Sequence, residues 1–154
     1  MLVGGGEGKE YGNLGSAYGS QGDFSKSIDH HGQHLAIAKE VGNRAGEGTA
    51  YGKLGNAYGS QGDFSKAIEY HAQILAIAKE VGDREGEGMA YGNLGTGHMH
   101  LNEYVKAVAY FEAQHVLATS LKLAHLQSDA ALKMGVASSH PSRPGSSPEP
   151  CYWR

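Results

Sequence analysis

Residues 11–50 and 51–90 are nearly the same sequence: with Tyr11 aligned on Tyr51, 30 of the 40 positions are identical. A third, degraded copy begins at Tyr91, where Tyr91-Gly92-Asn93-Leu94-Gly95 repeats Tyr11-Gly12-Asn13-Leu14-Gly15. Self-similarity at a period of roughly 20–50 residues marks a stack of units that pack on their neighbours, not a globule with one closed core. Function in such a stack lies in an extended surface, so a binding groove is the first thing to look for.

The second copy shows how each unit reads. Tyr51, Leu54, Ala57 and Tyr58 recur at spacings of three and four, the pattern of an amphipathic helix. Gly59-Ser60-Gln61-Gly62-Asp63 then interrupts it, with Gly62 suited to a helix exit and Asp63 to the next N-cap. A second stripe follows in Phe64, Ala67, Ile68, His71, Leu75 and Ala78, closed by Val81-Gly82-Asp83. Each copy is therefore expected to be a helical hairpin.

Glycine inside a helix costs about 1 kcal/mol relative to alanine, yet Gly12, Gly15, Gly52, Gly55, Gly92 and Gly95 all fall in first helices. Stacking must supply the stability that these helices lack in isolation. Gly15, Gly55 and Gly95 each follow the apolar leucine, where a missing side chain lets the paired helix come close. Gly12, Gly52 and Gly92 are expected on a different face, deepening a groove.

Tyr-x-x-Leu-Gly-x-x-Tyr in the first helix, followed in the second by a small residue and, four positions on, an aromatic or histidine, resembles the tetratricopeptide repeat. Tyr11, Leu14, Gly15, Tyr18, Ser27 and His31 carry the match in the first copy, and Tyr51, Leu54, Gly55, Tyr58, Ala67 and His71 in the second. The third supplies Tyr91, Leu94, Gly95, Ala107 and Phe111, with His98 in place of the second tyrosine. The usual repeat has about 34 residues. The 40-residue form, with Asn-Leu-Gly, Ile-Ala-Lys-Glu and a Gly-Asp-Arg turn, is similar to the Leu-Gly-Asn repeat proteins of the Pins/LGN type. Nothing here resembles the G-protein-binding motifs that those proteins carry outside their repeats.

The resemblance implies an all-α fold: a TPR-like right-handed α-solenoid of three hairpins plus a C-terminal capping helix. The expected boundaries are a flexible N-terminus over 1–7, repeats at 8–46, 47–86 and 87–125, a cap at 126–137 and a disordered Pro/Ser-rich tail at 138–154. The third copy loses the Gly-Asp turn, reading Leu121-Lys122-Leu123-Ala124-His125. The cap carries Ala130, Leu132, Met134 and Val136 and is expected to cover the last hairpin, as terminal repeats must.

In this family the first helices line the concave face. The resemblance therefore implies that Asn13, Ser16, Lys53, Asn56, Asn93 and Thr96 form a peptide-binding groove, with Lys9, Ser20, Ser60 and His100 at its edge. Carboxamides both donate and accept, so a ladder of them can hold the backbone of an extended peptide without dictating its sequence. Lys9 and Lys53 would attract acidic side chains or a C-terminal carboxylate. The plainer reading makes these solvated polar residues of a helix surface.

Other chemistry finds little support. His30 and His34 have the i,i+4 spacing of a metal pair, but no carboxylate or thiol completes a set, and the second copy has Tyr70 and Ile74 there. His31 and His71 share a slot with Phe111 and read as packing residues. There is no P-loop, no Gly-x-Ser-x-Gly and no cysteine beside a partner histidine in a structured segment; Gly4-Gly5-Gly6-Glu7-Gly8 follows no strand. A net charge of −3 with scattered lysines argues against nucleic acid. No apolar run approaches the roughly 20 residues that span a bilayer, no secretory signal is visible, and the single Cys151 excludes an internal disulfide. Pro141-Ser142-Arg143-Pro144 fits a minimal PxxP pattern and Ser147-Pro148 a phosphorylation site.

The expectation is a cytoplasmic, non-enzymatic scaffold or adaptor with no cofactor, binding an extended or helical segment of another protein. Neither nucleic acid nor membrane is an expected partner. The alternative is a structural fragment whose repeats stack with further repeats or self-associate without a groove ligand.

Overall fold

Four helix starts share one chemistry. In the computed structural model, which describes residues 5–122 and 124–139, the carboxylates of Asp23, Asp63 and Asp83 and the carboxamide of Asn43 cap helices by accepting from backbone N–H groups three residues on. Such caps satisfy donors that a helix start leaves open. The helices so delimited are α1 (Gly5–Ser20), α2 (Phe24–Glu40), α3 (Arg44–Gln61), α4 (Phe64–Val81), α5 (Arg84–His100), α6 (Tyr104–Ser120) and α7 (Ala124–Ser138). No strand occurs among the described residues. Helix α1 starts at Gly5, so residues 5–7, expected in a flexible leader, are helical. Expectations that fall on residues 140–154 lie outside the described residues.

At the turns, Gly22, Gly42, Gly62 and Gly82 all have positive φ, between 67° and 88°. The degraded third copy keeps the turn geometry without the glycines: Asn102 and Lys122 take φ of 61° and 56°. Asparagine visits that region readily, whereas lysine pays its full steric cost.

Helices pack in chain order, α1 on α2 on α3 through to α7, with smaller contacts between α1 and α3 and between α5 and α7. The seams are made of alanines (Ala38, Ala50, Ala57, Ala67, Ala78, Ala90, Ala107, Ala118), which let backbones approach, with Leu54, Leu94 and Phe111 as the large buried anchors. Burying each such anchor contributes about 1.5–3 kcal/mol. Ion pairs link the two helices of the second hairpin: Arg44 bridges Glu47 in its own helix and Glu80 at the end of α4, at 2.7 and 2.5 Å.

The ends differ from the interior. Leu14 occupies the place of Leu54, yet it is 46% exposed where Leu54 is 2% exposed, because no described helix covers that face of α1. One turn earlier on the same face, exposed Glu10 stands where Ala50 and Ala90 are sealed. At the other end α7 packs on α6 through Met134 and Ala137, with Ala130 sealed and Leu126 lying over Gly88 of α5. Leu132 and Val136 were expected in that stripe but are 72% and 49% exposed. Spacings of four, four and three from Leu126 define the buried row, and positions 132 and 136 fall on another side of the helix.

Candidate functional site

Three adjoining cavities run along the first helices. One, of about 320 Å³, lies between α3, α4 and α5 and has Asn56, Ser60, Asn93, Thr96 and His100 at its lip. The second, of about 270 Å³, lies between α1, α2 and α3 and is bounded by Ser16, Ser20, Lys53, Asn56 and Ser60. The third, of about 370 Å³, continues it past Lys9 and Asn13, sharing Ser16 and Lys53. All ten residues singled out in the sequence line one or another of these three cavities, which share Ser16, Lys53, Asn56 and Ser60 among them. Their periodicity is the reason: first-helix positions separated by 40 residues recur on the same side of every unit.

The groove mixes apolar surface with neutral polar side chains and is not acidic, as no Asp or Glu lines any of the three cavities. Lys9 and Lys53 give one end positive charge, while the α3–α5 end carries no lysine or arginine. The carboxamides of Asn13, Asn56 and Asn93 make no hydrogen bond among the described residues. Hydroxyls are partly committed: Ser20 donates to the Ser16 carbonyl at 3.0 Å and Thr96 to that of Gly92 at 2.9 Å, leaving their lone pairs to accept. His100 is stacked flat on Phe64, with centroids 4.2 Å apart.

The floor holds residues that sequence reasoning assigned to packing alone. His31 and His71 are 2% and 5% exposed, yet both line the cavities. Each ring lies on a glycine: a Cβ at Gly15 or Gly55 would sit 2.7 Å from the nearest imidazole atom. The Nδ1 atom of each ring is buried without a hydrogen-bond partner, at a cost of about 1–3 kcal/mol per group. Burial lowers the His31 pKa to about 4, helped by nearby Lys53, and burial alone lowers His71 to about 4. Both imidazoles are therefore neutral at physiological pH. The signal available in the sequence was that the slot alternates between histidine and Phe111: a polar ring where a phenyl fits has a reason to be polar.

Two expectations about neighbouring residues change. Gly52 and Gly92 do not deepen the groove but meet Ile74 and Gln114 of the paired second helix. Gly12 meets His34 in the same way, though it also borders the third cavity. Residues three apart share a helix face, so Gly12 follows Gly15 toward α2. His30 and His34 are drawn into different surroundings, His30 stacked on Tyr18 at 5.2 Å and His34 over Gly12. Among the described residues no group of three or more metal-binding side chains converges. No described helix is long and apolar enough to cross a membrane.

Similar solved structures include the TPR domain of FLU from Arabidopsis, at 23% identity and a TM-score of 0.70, covering 74% of this chain and 96% of that one. The apo form of RapI superimposes with a TM-score of 0.78 at 15% identity, over 86% of this chain and 48% of that one. A signal transduction ATPase with a tetratricopeptide-repeat sensor, from Pyrococcus horikoshii, gives 0.68 at 24% identity, over 74% of this chain and 18% of that one. The chain thus spans about half of RapI and a fifth of the ATPase, and these likenesses speak to fold. No curated protein sequence matches. The sequence profile of the tetratricopeptide repeat matches residues 11–80 and 46–113. With helical hairpins, the Tyr/Leu-Gly/Tyr pattern and that match in agreement, the chain belongs to the tetratricopeptide-repeat family, whose helical repeats generally serve protein–protein interaction.

Proposed function

We propose that this chain is a non-enzymatic scaffold or adaptor, acting in the cytoplasm, that docks an extended or helical segment of another protein along its first helices. One observation carries the reading: Asn13, Asn56 and Asn93, whose carboxamides make no hydrogen bond among the described residues, line the same run of acid-free cavities as Ser16, Thr96 and the two lysines. A peptide backbone presents donors and acceptors along its length, and a periodic row of carboxamides matches both. Lys9 and Lys53 orient the ligand by drawing its acidic or C-terminal end toward α1. The Leu-Gly-Asn form of the repeat supports placing the chain near the Pins/LGN group within its family. The test is a pull-down from cognate extract comparing wild type with N13A/N56A/N93A. Partners lost from the folded triple variant support the groove; partners that persist on it reject the groove.

Leu14 on α1 and Leu132 on α7 favour a second reading, in which the solenoid ends stack on another copy or on further repeats. That reading predicts a concentration-dependent mass in solution that L14E reduces to the monomer.

A further inference from the structure

The turn that starts α5 leaves open a hole that the start of α7 closes. A cavity of about 410 Å³ lies between Gly48 and Thr49 of α3, Ile74, Ile77 and Val81 of α4, and Gly86 of α5. No lysine or arginine lines it, and its one carboxylate, that of Asp83, accepts from the Gly86 N–H at 2.9 Å. Forty residues on, Gly48, Ile77 and Gly86 become Gly88, Leu117 and Leu126. There Leu126, 7% exposed, covers the equivalent surface: a Cβ at Gly88 would meet its Cδ1 at 3.2 Å and the Leu117 side chain at 3.6 Å. Gly88 is buried beneath it. Gly48 is only half-buried, and a Cβ there would meet nothing nearer than Ile77, at 3.7 Å. The helix cap explains the difference, since a Cβ at Gly86 would fall against the Asp83 carboxylate. By exchanging Asp83-x-x-Gly86 for Leu123-x-x-Leu126, the third repeat gives up that carboxylate and gains the covering leucine.

We infer that this cavity is a socket for an aliphatic side chain, leucine or one of its size, carried by the partner segment that docks in the groove. The chain's own Leu126 identifies the occupant, because it is what seats on the same surface one repeat later. The socket adjoins the groove, as Thr49 lines both it and the cavity that holds Lys9, Asn13 and Lys53. The inference rests on the groove reading above and adds the side chain that fixes the ligand's register. Val81 at the rim is 58% exposed and becomes buried when a ligand covers it. An acidic side chain would meet Asp83 and no cation, and a basic one would have to draw that carboxylate from the helix start that it caps. In the first repeat the equivalent floor is narrower: a Cβ at Gly8 would meet Ile37 at 3.3 Å and His34, in the place of Ile74, at 3.6 Å.

The experiment pans a phage-displayed library of random dodecapeptides on the wild-type chain and measures selected synthetic peptides by titration calorimetry. Selected sequences are expected to share one Leu, Ile or Met, and replacing it by alanine should weaken binding about tenfold or more. Two protein variants should weaken the parent peptide as much: Gly48→Leu, which fills the cavity with no clash at Cβ, and Val81→Asp at the exposed rim. On Gly48→Leu the peptide's alanine change should then cost nothing further, a coupling that a merely structural role for position 48 would not produce. Gly48→Leu should also unfold no earlier than wild type, since leucine replaces glycine within a helix. Peptides lost from N13A/N56A/N93A but unaffected by either socket variant, or selected without a shared aliphatic position, overturn the socket and leave the groove standing. Peptides weakened by the socket variants but indifferent to the asparagine changes overturn the groove and keep the socket. A concentration-dependent mass that Gly48→Leu abolishes makes a second copy the occupant and overturns the peptide assignment. A library that yields no binder overturns both readings.

Discussion

The two nearly identical copies contain their own control for what stacking is worth. Leu14 and Leu54 occupy one position of the repeat, but one is 46% exposed and the other 2%. Truncating a sealed leucine to alanine costs about 2–5 kcal/mol, the sum of lost transfer energy and the cavity left behind. At Leu14 roughly half the transfer contribution is absent from the start, and a gap open to water adds no cavity cost, so L14A should cost about 1 kcal/mol or less. With a urea m-value of about 1–3 kcal/mol/M, L54A should lower the unfolding midpoint by about 1 M or more and L14A by a few tenths. Far-ultraviolet circular dichroism across a urea series reads both. Leu94, buried like Leu54, should behave like it. Equal losses for L14A and L54A would refute the reasoning: the open face of α1 would then be covered in solution, and the loss should vary with protein concentration.

Glycines should split by what a Cβ would touch. Gly95→Ala drives a methyl group into the buried Phe111 ring and should lose about 1–2 kcal/mol net of the helix gain. Gly32→Ala, with nothing within 4 Å, should gain about 0.5–1 kcal/mol, both read as urea midpoints. Lys122→Gly relieves a left-handed lysine at φ 56° and should raise stability by about 1 kcal/mol; a loss would mean the side chain matters more than the backbone. For pH, His31 and His71 are lowered to about 4 in the fold from an ordinary 6.5. Between those values the unfolded chain binds more protons, so their contribution is whole above about pH 6.5 and is lost as pH falls toward 4. H31F/H71F should flatten that stretch of the stability profile, and an unchanged slope would sink the assignment.

The hairpins were legible because their signals are local and repeated: Asp63 before Phe64, Gly62 and Gly82 at the exits, and apolar residues at three and four. That the ten first-helix residues line neighbouring cavities was legible for the same reason, since a period fixes a face. What escaped depends on neighbours. Leu14 reads identically to Leu54, and only the lack of a covering helix exposes it. Leu132 and Val136 are apolar residues that a short window assigns to the buried row, whereas the true row is chosen by where α6 lies. Gly12 was misread because its partner, His34, is known only once α2 is in place. His31 and His71 were hardest: composition says core, and only coordinates reveal a core residue that is also a wall of the groove.

Exposed Glu10, standing where the interior copies seal Ala50 and Ala90, gives the array a direction of growth. A copy added ahead of α1 in the interior register would press a carboxylate into a space sized for a methyl group, at several kcal/mol unless it brought a cation to meet it. A copy spliced in after α4 meets on both sides surfaces almost identical to those it came from. Lengthening by duplication is thus tolerated from within, and any unit seated on α1 must bring a cation to meet Glu10. Each splice would leave Lys9 in place and add another histidine-floored cavity. The length of chain such a protein can grip would then be counted in repeats.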